Sequence, residues 1–433
     1  MVKASSLLGL NARYQNFSME YNTGRGKAIA ASKVKTNRVL KRAGIPTPEL
    51  YAKFGNARRV MNYDWNSLPD SFVLKPSKGL GGEGIVVIKK RAKDGNGWIT
   101  TQRKHIDEDD LKLRALDILE GAYSMSNVTD VALVQEFVGR HKVFRKYAYR
   151  GTPDIRIIVF NKVPVMAMLR LPTEESGGRA NLHQGAIAVG VDIATGITTS
   201  AIWHNDPITH KPGTKRKLRG IKIPKWNTML MMAVHCQKAS GLGFMGVDIV
   251  LHPEKGPMVL ELNYQPGLTI QLVNKAGLKK RLERVEDIEV TDAEHGVKIA
   301  KALFAARFAD RVLAKQGVKT LNVWEQVKIV GKDKRRHEIR AKLDTGAWRS
   351  SIDMHLAKEL GLMEKENILW SKIFKSGLGR QRRYVINLTL FIAGRKIKTI
   401  ASVAKRHNLR TPLIIGRRDL KGFLVSPRKI DQV

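Results

Sequence analysis

Three side chains with hard oxygen donors lie close together in the sequence. Asp248 sits in Gly246-Val247-Asp248-Ile249-Val250, so its carboxylate points away from Val247 and Ile249. In Val259-Leu260-Glu261-Leu262-Asn263, Glu261 and Asn263 are two residues apart and share one strand face. Between them, His252-Pro253-Glu254-Lys255-Gly256-Pro257 reads as a turn that makes the two strands antiparallel neighbours. Three oxygen ligands on one sheet face suit Mg²⁺, which keeps waters and shares nucleotide phosphates; Mn²⁺ takes the same donors. Carboxylates amid Val, Ile and Leu are costly unless paired or metal-bound, so an ion pair with Lys or Arg is the competing reading.

A second constellation is Gly79-Leu80-Gly81-Gly82-Glu83-Gly84, flanked by Lys75 and containing the pattern G-x-G-x-x-G. A dinucleotide fold needs a helix directly after such glycines. Here Ile85-Val86-Val87-Ile88 follows, a β-branched run that predicts a strand. No Walker-type G-x-x-x-x-G-K-[ST] occurs either. The pattern therefore predicts a glycine-rich hairpin tip able to cover a polyphosphate, with backbone N–H groups and lysines as donors. A plain flexible turn with surface lysines is the alternative.

The elements that must position these groups read as a mixed α+β chain. Thr36–Ala43 predicts a helix ended by Gly44, Pro46 and Pro48, and Leu111–Gly121 a second helix. Ser71–Lys75 and Val131–Val138 read as strands, and Asp154–Phe160 with Val163–Leu171 as a hairpin turning at Asn161-Lys162. A Met-rich helix over 225–241 precedes the Asp248 and Glu261 strands. Thr291-Asp292-Ala293-Glu294 has capping-box spacing and opens a helix that presents Val297, Phe304, Phe308 and Val312, with Gly317 as C-cap. A strand-rich unit starts near Val323.

Composition narrows the class. The chain has 433 residues, 43% of them hydrophobic, which supports an ordinary core and excludes a disordered polymer. One cysteine, Cys236, excludes a disulfide scaffold and fits a reducing compartment. No apolar run approaches the roughly 18 residues of a membrane span, and the N-terminus lacks a signal-peptide core, so a cytoplasmic protein without a membrane partner is expected. The formal charge of +38 is spread over the whole chain. It admits an acidic partner (nucleotide, nucleic acid, acidic peptide or anionic polymer), although aromatic residues are only 6% and no RNA-stacking motif occurs.

Taken together, residues 8–282 resemble the ATP-grasp superfamily and, within it, the RimK-type α-L-glutamate ligases. Ser32–Thr36 followed by Ala43–Pro48 is similar to a leading segment whose lysine, here Lys33, contacts ATP. Val73–Pro76 with Gly79, Gly81, Gly82 and Gly84 is similar to the phosphate-covering lysine and lid, Lys75 being the lysine. Gln135, Glu136, Phe137 and Val138 resemble the hinge that reads adenine and holds ribose through an acidic residue. Asp154, Arg156, Arg179 and Asn181 fall on nucleotide and acyl-phosphate contacts, and Asp248, Glu261 and Asn263 on magnesium ligands. The run Asn263–Leu268 matches the N-x-x-P-G-L ending. Leu8–Arg13, Tyr21–Arg25, Ile270–Asn274 and Gly277–Leu282 resemble a narrower group of glutamate-ligase-related proteins.

Beyond residue 323, Ile339–Ala347 runs into Asp344-Thr345-Gly346-Ala347, and Thr411–Arg417 supplies an apolar pair followed by Gly416. These resemble retropepsin-like aspartic proteases, and more narrowly a family of ATP-dependent zinc proteases, with Ser426 where that family carries Asp. One D-T-G implies that a catalytic carboxylate pair needs a homodimer contributing Asp344 twice. A silent peptide-recognising barrel is the other option. His337, His355 and His407 are scattered and do not suggest zinc.

The resemblance implies a short leading segment over 1–48, an ATP-grasp ligase domain over 49–315 and a small mainly-β retropepsin-like barrel over 323–433. It implies an ATP- and Mg²⁺-dependent carboxylate–amine ligase, joining an amino acid such as glutamate to an amine-bearing acceptor through an acyl-phosphate. Arg156, Arg170 or Arg179 would steady the transferring charge, Arg179 favoured by its motif. Rival readings are a nucleic-acid or anionic-polymer binder, or a peptide-binding adaptor, on a degenerate ATP-grasp scaffold.

Overall fold

The strand pairing described below comes from a computed structural model that describes residues 4–79, 82–124, 127–305, 319–376, 379–406 and 410–426. Gly81, His407 and the expected helix stretch from Phe308 to Gly317 lie outside the described residues. The chain divides into two compact units, Met1–Val285 and Glu286–Val433. The sequence reading carried the first unit to 315. In the structure, helix Ala293–Phe304 packs on a strand of the second unit, and His295 Nε2 bonds the Leu369 carbonyl.

The first unit holds two sheets. One has six strands: β1 (Leu50–Phe54), β2 (Phe72–Pro76), β3 (Val86–Arg91), β4 (Trp98–Thr100), β5 (His105–Ile106) and β6 (Ala132–Glu136), in the order β1-β6-β2-β3-β4-β5. Strand alternation sorts its residues. Phe72, Leu74, Ile88, Trp98, Ala132 and Val134 pack with Leu111, Ala115 and Ile118, which lie on one face of helix Glu108–Leu119. That helix starts three residues before the expected Leu111, because Asp107 and Asp110 form a reciprocal capping box. The opposite face presents Val73, Lys75, Leu133 and Gln135, with Lys75 paired to Leu133 and Val73 to Gln135.

The other sheet has seven strands: β7 (Asp154–Phe160), β8 (Val163–Leu171), β9 (Ile187–Val191), β10 (Thr198–Trp203), β11 (Asp206–Ile208), β12 (Phe244–His252) and β13 (Gly256–Asn263), in the order β11-β10-β9-β8-β7-β12-β13. β7 and β8 turn at Asn161 and Lys162, with φ of 47° and 59°, the left-handed pair that a two-residue hairpin requires. Helix Trp226–Ser240 covers one face of β7, β8 and β12. The other face carries the polar residues.

The second unit is built from β14 (Lys319–Asn322), β15 (Trp324–Val330), β16 (Arg336–Asp344), β17 (Ser351–Asp353), β18 (Ile368–Ser376), β19 (Gly379–Ile392), β20 (Arg395–Ala404), β21 (Leu413–Gly416) and β22 (Phe423–Ser426). Seven of these pair in the order β15-β16-β21-β17-β20-β19-β18, and β15 pairs again with β19, so hydrogen bonding returns to its starting strand. Val327, Ile329, Leu343, Leu388, Leu390 and Ile415 fill the interior. Helix Ala293–Phe304 is capped by Asp292, which accepts from the His295 N–H, rather than by the expected Thr291 box. The Asp carboxylate, one residue on, is the stronger acceptor.

Candidate nucleotide and metal site

Antiparallel register gathers the charged residues of the seven-stranded sheet on one face. Asp248 opposes Glu261 on β13 and Arg156 on β7, while Asp154 opposes Arg170 on β8. A bulge in the β12–β13 pairing follows Asp248, and on β13 the residue left over is Leu260. Asp248 is 1% exposed. Its Oδ1 accepts from Arg156 Nε at 2.7 Å, and its Oδ2 from terminal nitrogens of Arg156 at 2.6 Å and Arg170 at 2.7 Å. Arg170 also forks onto Asp154, at 2.5 and 2.7 Å. Burial alone would raise the Asp248 carboxyl, but the two guanidiniums outweigh it and hold it well below the carboxylate range. For Asp154 burial comes first and the Asp248 charge adds to it, so that Arg170 and, more weakly, Arg156 offset it only in part and the carboxyl is pushed up to about 6.

The three predicted metal ligands therefore meet, but unequally. Asn263 Nδ2 lies 3.3 Å from Asp248 Oδ2 and 3.4 Å from Glu261 Oε1. Glu261 stands 4.0 Å from Arg156. Its side chain is 36% exposed, leaving oxygen lone pairs open to a cation. Two carboxylates and an amide oxygen are the donor set Mg²⁺ prefers. Glu261 offers oxygen directly, Asn263 would offer its Oδ1 with the amide turned over, and the Asp248 oxygens, which also accept guanidinium hydrogens, keep a lone pair on Oδ1.

Across from this face lie Lys33 and Lys75. Ser32 caps helix Lys33–Arg42, and from its first residue the Lys33 ammonium donates to the carbonyls of Ser77 (3.4 Å) and Gly79 (3.3 Å). Lys75 is buried, and burial together with the Lys33 charge lowers its ammonium to about 8, with Glu261 opposing. A cleft between the sheets is lined by Lys33, Lys75, Gln135, Val259 and Leu260; its cavity of about 10 Å³ has room for roughly one water.

The glycine loop leads into strand β3, as the β-branched run predicts. Gly82 and Gly84 have φ of 84° and 69°, and a Cβ on Gly84 would meet the Tyr123 ring at 2.5 Å. Arg179 is exposed, with its Cδ beside Gly82. Asn181 caps a short turn by accepting from the His183 N–H.

Of the hinge residues, Gln135 lines the cleft and donates to the Pro48 carbonyl at 2.9 Å. Val138 packs with Val250 and Met258. Phe137 lies between them, half-buried. The Glu136 carboxylate is committed elsewhere: it accepts from the Glu49 N–H at 3.1 Å and pairs with Lys255 and His252. It ties β6 to the turn of the β12–β13 hairpin.

Other positioning residues were not assigned a role from sequence, although Arg13 and Asn22 lie in the two N-terminal segments singled out there. Arg13 donates to the carbonyls of Gln265 (3.3 Å) and Pro266 (3.0 Å), while Ser18 and Asn22 reach the Tyr264 carbonyl. The N-terminal helical turns thus hold the segment after Asn263. Arg170, ranked below Arg179 from sequence, proves to be the partner shared by Asp154 and Asp248.

In the second unit Asp344 ends β16, and its Oδ1 accepts from the N–H groups of Gly346 (2.9 Å) and Ala347 (3.1 Å). The D-T-G run thus forms a tight turn with the carboxylate beside backbone donors, but Asp344 is half-buried, not enclosed. Asp344 pairs in parallel register with Gly416. Among the described residues no group of three His, Cys, Asp or Glu side chains is placed to hold a metal, and no helix is long and apolar enough to cross a membrane.

Comparison with known proteins supplies the family. Residues 12–287 match the model of the sugar-transfer associated ATP-grasp family. The chain belongs to that family. A sugar-transfer associated ATP-grasp chain such as this one is also 26% identical over 250 residues to a probable α-L-glutamate ligase of Psychromonas ingrahamii, covering 57% of this chain and 60% of that protein. It thus spans less than two thirds of that relative's length. Among solved structures, a D-alanine–D-alanine ligase from Bacillus anthracis in complex with ATP aligns at 15% identity and TM-score 0.35, over 64% of this chain and 70% of that one. The ATP-grasp ligase PsnB, complexed with a minimal precursor, aligns at 15% identity and TM-score 0.35, over 61% and 63%.

Proposed function

We propose that the first unit is an ATP- and Mg²⁺-dependent carboxylate–amine ligase of the RimK-like kind, joining an amino acid such as glutamate to an amine-bearing acceptor. The carrying observation is the cleft in which Lys33 and Lys75 face the Glu261 strand. Two ammonium groups opposite a carboxylate–amide pair are the charge pattern for a triphosphate and its divalent ion.

In this reading a substrate carboxylate attacks the γ-phosphorus, ADP leaves, and an acyl-phosphate remains. The acceptor amine then attacks the acyl carbon and phosphate departs, closing the amide. Lys33 and Lys75 neutralise phosphate oxygens. Glu261 and Asn263 would hold the metal, which would neutralise charge on the transferring phosphoryl group. Arg156 uses Nε and one terminal nitrogen on Asp248; its other terminal nitrogen approaches Gly267, where a Cβ would lie 3.8 Å away. That nitrogen can donate to the oxyanion of the second step, with Arg179 at the loop mouth.

The test is ADP release by the purified protein across a panel of amino acids and acceptors, with products identified by mass spectrometry. Release is expected only when ATP, Mg²⁺ and both co-substrates are present, and Glu261→Ala is expected to abolish it. Wild-type turnover by that variant would overturn the site assignment.

A second reading concerns the C-terminal unit, which we infer to be retropepsin-like, processing or recognising the conjugate. The Asp344 turn and its pairing with Gly416 favour it. A paired-carboxylate peptidase would require two copies of Asp344, hence a homodimer.

A further inference from the structure

The ligase reading leaves unused a pocket of about 660 Å³ in the first unit beside β3 and β4, within the range of small-molecule sites. It shares no lining residue with the cleft that holds Lys33 and Lys75. Six permanent cations line it: Lys89, Lys90, Lys93, Arg103, Arg140 and Arg150. Its one carboxylate, Asp94, accepts from the Asn96 N–H at 3.2 Å and lies within ion-pair distance of none of them. None of the six is in a salt bridge among the described residues. Arg140 and Arg150 are oriented instead by carbonyls, Arg140 by Ala148 at 2.9 Å and Arg150 by Gln102 at 3.4 Å.

Like charges gathered this way repel one another, a cost that an anionic ligand removes. The strain extends beyond the pocket wall. Burial and then the Arg145 charge lower the Arg140 guanidinium, and burial with Arg216 and Arg140 lowers the Lys211 ammonium. Charge density selects the ligand. A diphosphate or triphosphate places several negative charges on adjacent phosphorus centres, and so matches six cations around one small cavity. An acidic peptide spreads single charges along a strand at about 3.3 Å per residue, so that only alternate ones face the pocket. The hydroxyls of Thr100 and Thr101 add neutral donors suited to phosphoryl oxygens, and the lining contains no Phe, Tyr or Trp on which a nucleobase could stack.

We propose that this pocket is a second anion site, separate from the nucleotide cleft, that binds a compact ligand carrying two or more linked phosphates. The inference does not depend on the ligase reading.

The test uses the full chain saturated with Mg²⁺ and a non-hydrolysable ATP analogue, titrated calorimetrically with inorganic tripolyphosphate. One further equivalent is expected to bind. The triple reversal Lys89→Glu/Lys93→Glu/Arg103→Glu should weaken it at least tenfold and leave binding of the analogue unchanged. A control with Lys238→Glu/Lys279→Glu/Lys280→Glu, none of which lines the pocket, matches the net charge change and should retain affinity. A parallel titration with ADP distinguishes a free polyphosphate from a second nucleotide; either one binding here supports the site. Equal losses in the triple variant and the control would show non-specific attraction and overturn the proposal. So would binding of poly-glutamate but not tripolyphosphate, or no tripolyphosphate binding at all. Failure of the analogue itself to bind would strike the ligase reading and leave this test intact.

Discussion

Arg156 grips Asp248 in a two-pronged fork, Nε on one oxygen at 2.7 Å and a terminal nitrogen on the other at 2.6 Å, on a sheet face where both are nearly inaccessible to water. Arg170 adds a third bond to the same carboxylate. A residue that sequence reasoning ranks as a metal ligand is thus the centre of an arginine-bridged network joining β8, β7 and β12. Such a network fixes its guanidiniums in place at a cost in desolvation, and removing one member leaves the others uncompensated.

Asp248 and Glu261 should therefore fail differently. Asp248→Asn strips the balancing charge from two buried arginines and is expected to cost about 3–5 kcal/mol of stability as well as activity. Glu261→Ala, at a partly exposed side chain, should change stability by no more than about 0.5 kcal/mol while abolishing ADP release. Thermal melts alongside ADP assays separate the two. A Glu261→Ala protein that melts far below wild type would show that Glu261 is structural.

Lys75 gives a pH dependence with a definite sign. Its ammonium is lowered to about 8 from an ordinary 10.5, so between those values the unfolded chain holds a proton that the folded chain has released. Stability contributed by this group rises with pH across that window, and the penalty of the buried charge is complete below it. Lys75→Met should remove this slope and be the more stable protein at pH 7. Nucleotide affinity should run the other way, falling in the wild type as pH rises past 8, because the phosphates lose a cation. Denaturant melts and nucleotide titrations from pH 6.5 to 10 check both; a flat stability difference between the two proteins would contradict the buried charge.

Glu136 is expected to act as a strut. Glu136→Gln loses its ionic attraction to Lys255 and His252 while keeping an acceptor for the Glu49 N–H. Because Lys255 is exposed, the loss should be about 1 kcal/mol or less. Nucleotide affinity should stay within twofold, measured by titration. A tenfold loss of ATP affinity at unchanged melting temperature would instead place this carboxylate on the ribose.

Asp344→Asn should leave ADP release unaltered and abolish any peptidase activity toward the ligation product, followed by mass spectrometry. The Gly346 and Ala347 N–H groups still find an oxygen on the amide, so the fold should survive. Collapse of ligation in a folded variant would show that the two units do not act separately.

The sequence by itself determined much of the local architecture, because local patterns are short-range physics. The β-branched run after Gly84 excluded a dinucleotide turn, the Asn161-Lys162 pair marked a hairpin, and the i, i+2 spacing put Glu261 and Asn263 on one face. It also named Lys33 and Lys75 through motif order, and the family match covers the stretch where those motifs lie. What only the tertiary structure decided is which charges meet. Asp154, Arg156, Arg170 and Asp248 come together through strand register across three strands, and Glu136 meets Lys255 from 119 residues away. Arg13 reaches the Pro266 carbonyl across 253. Partner choice among buried charges depends on distance and dielectric in the folded state, and neither is written in the spacing of residues along a chain.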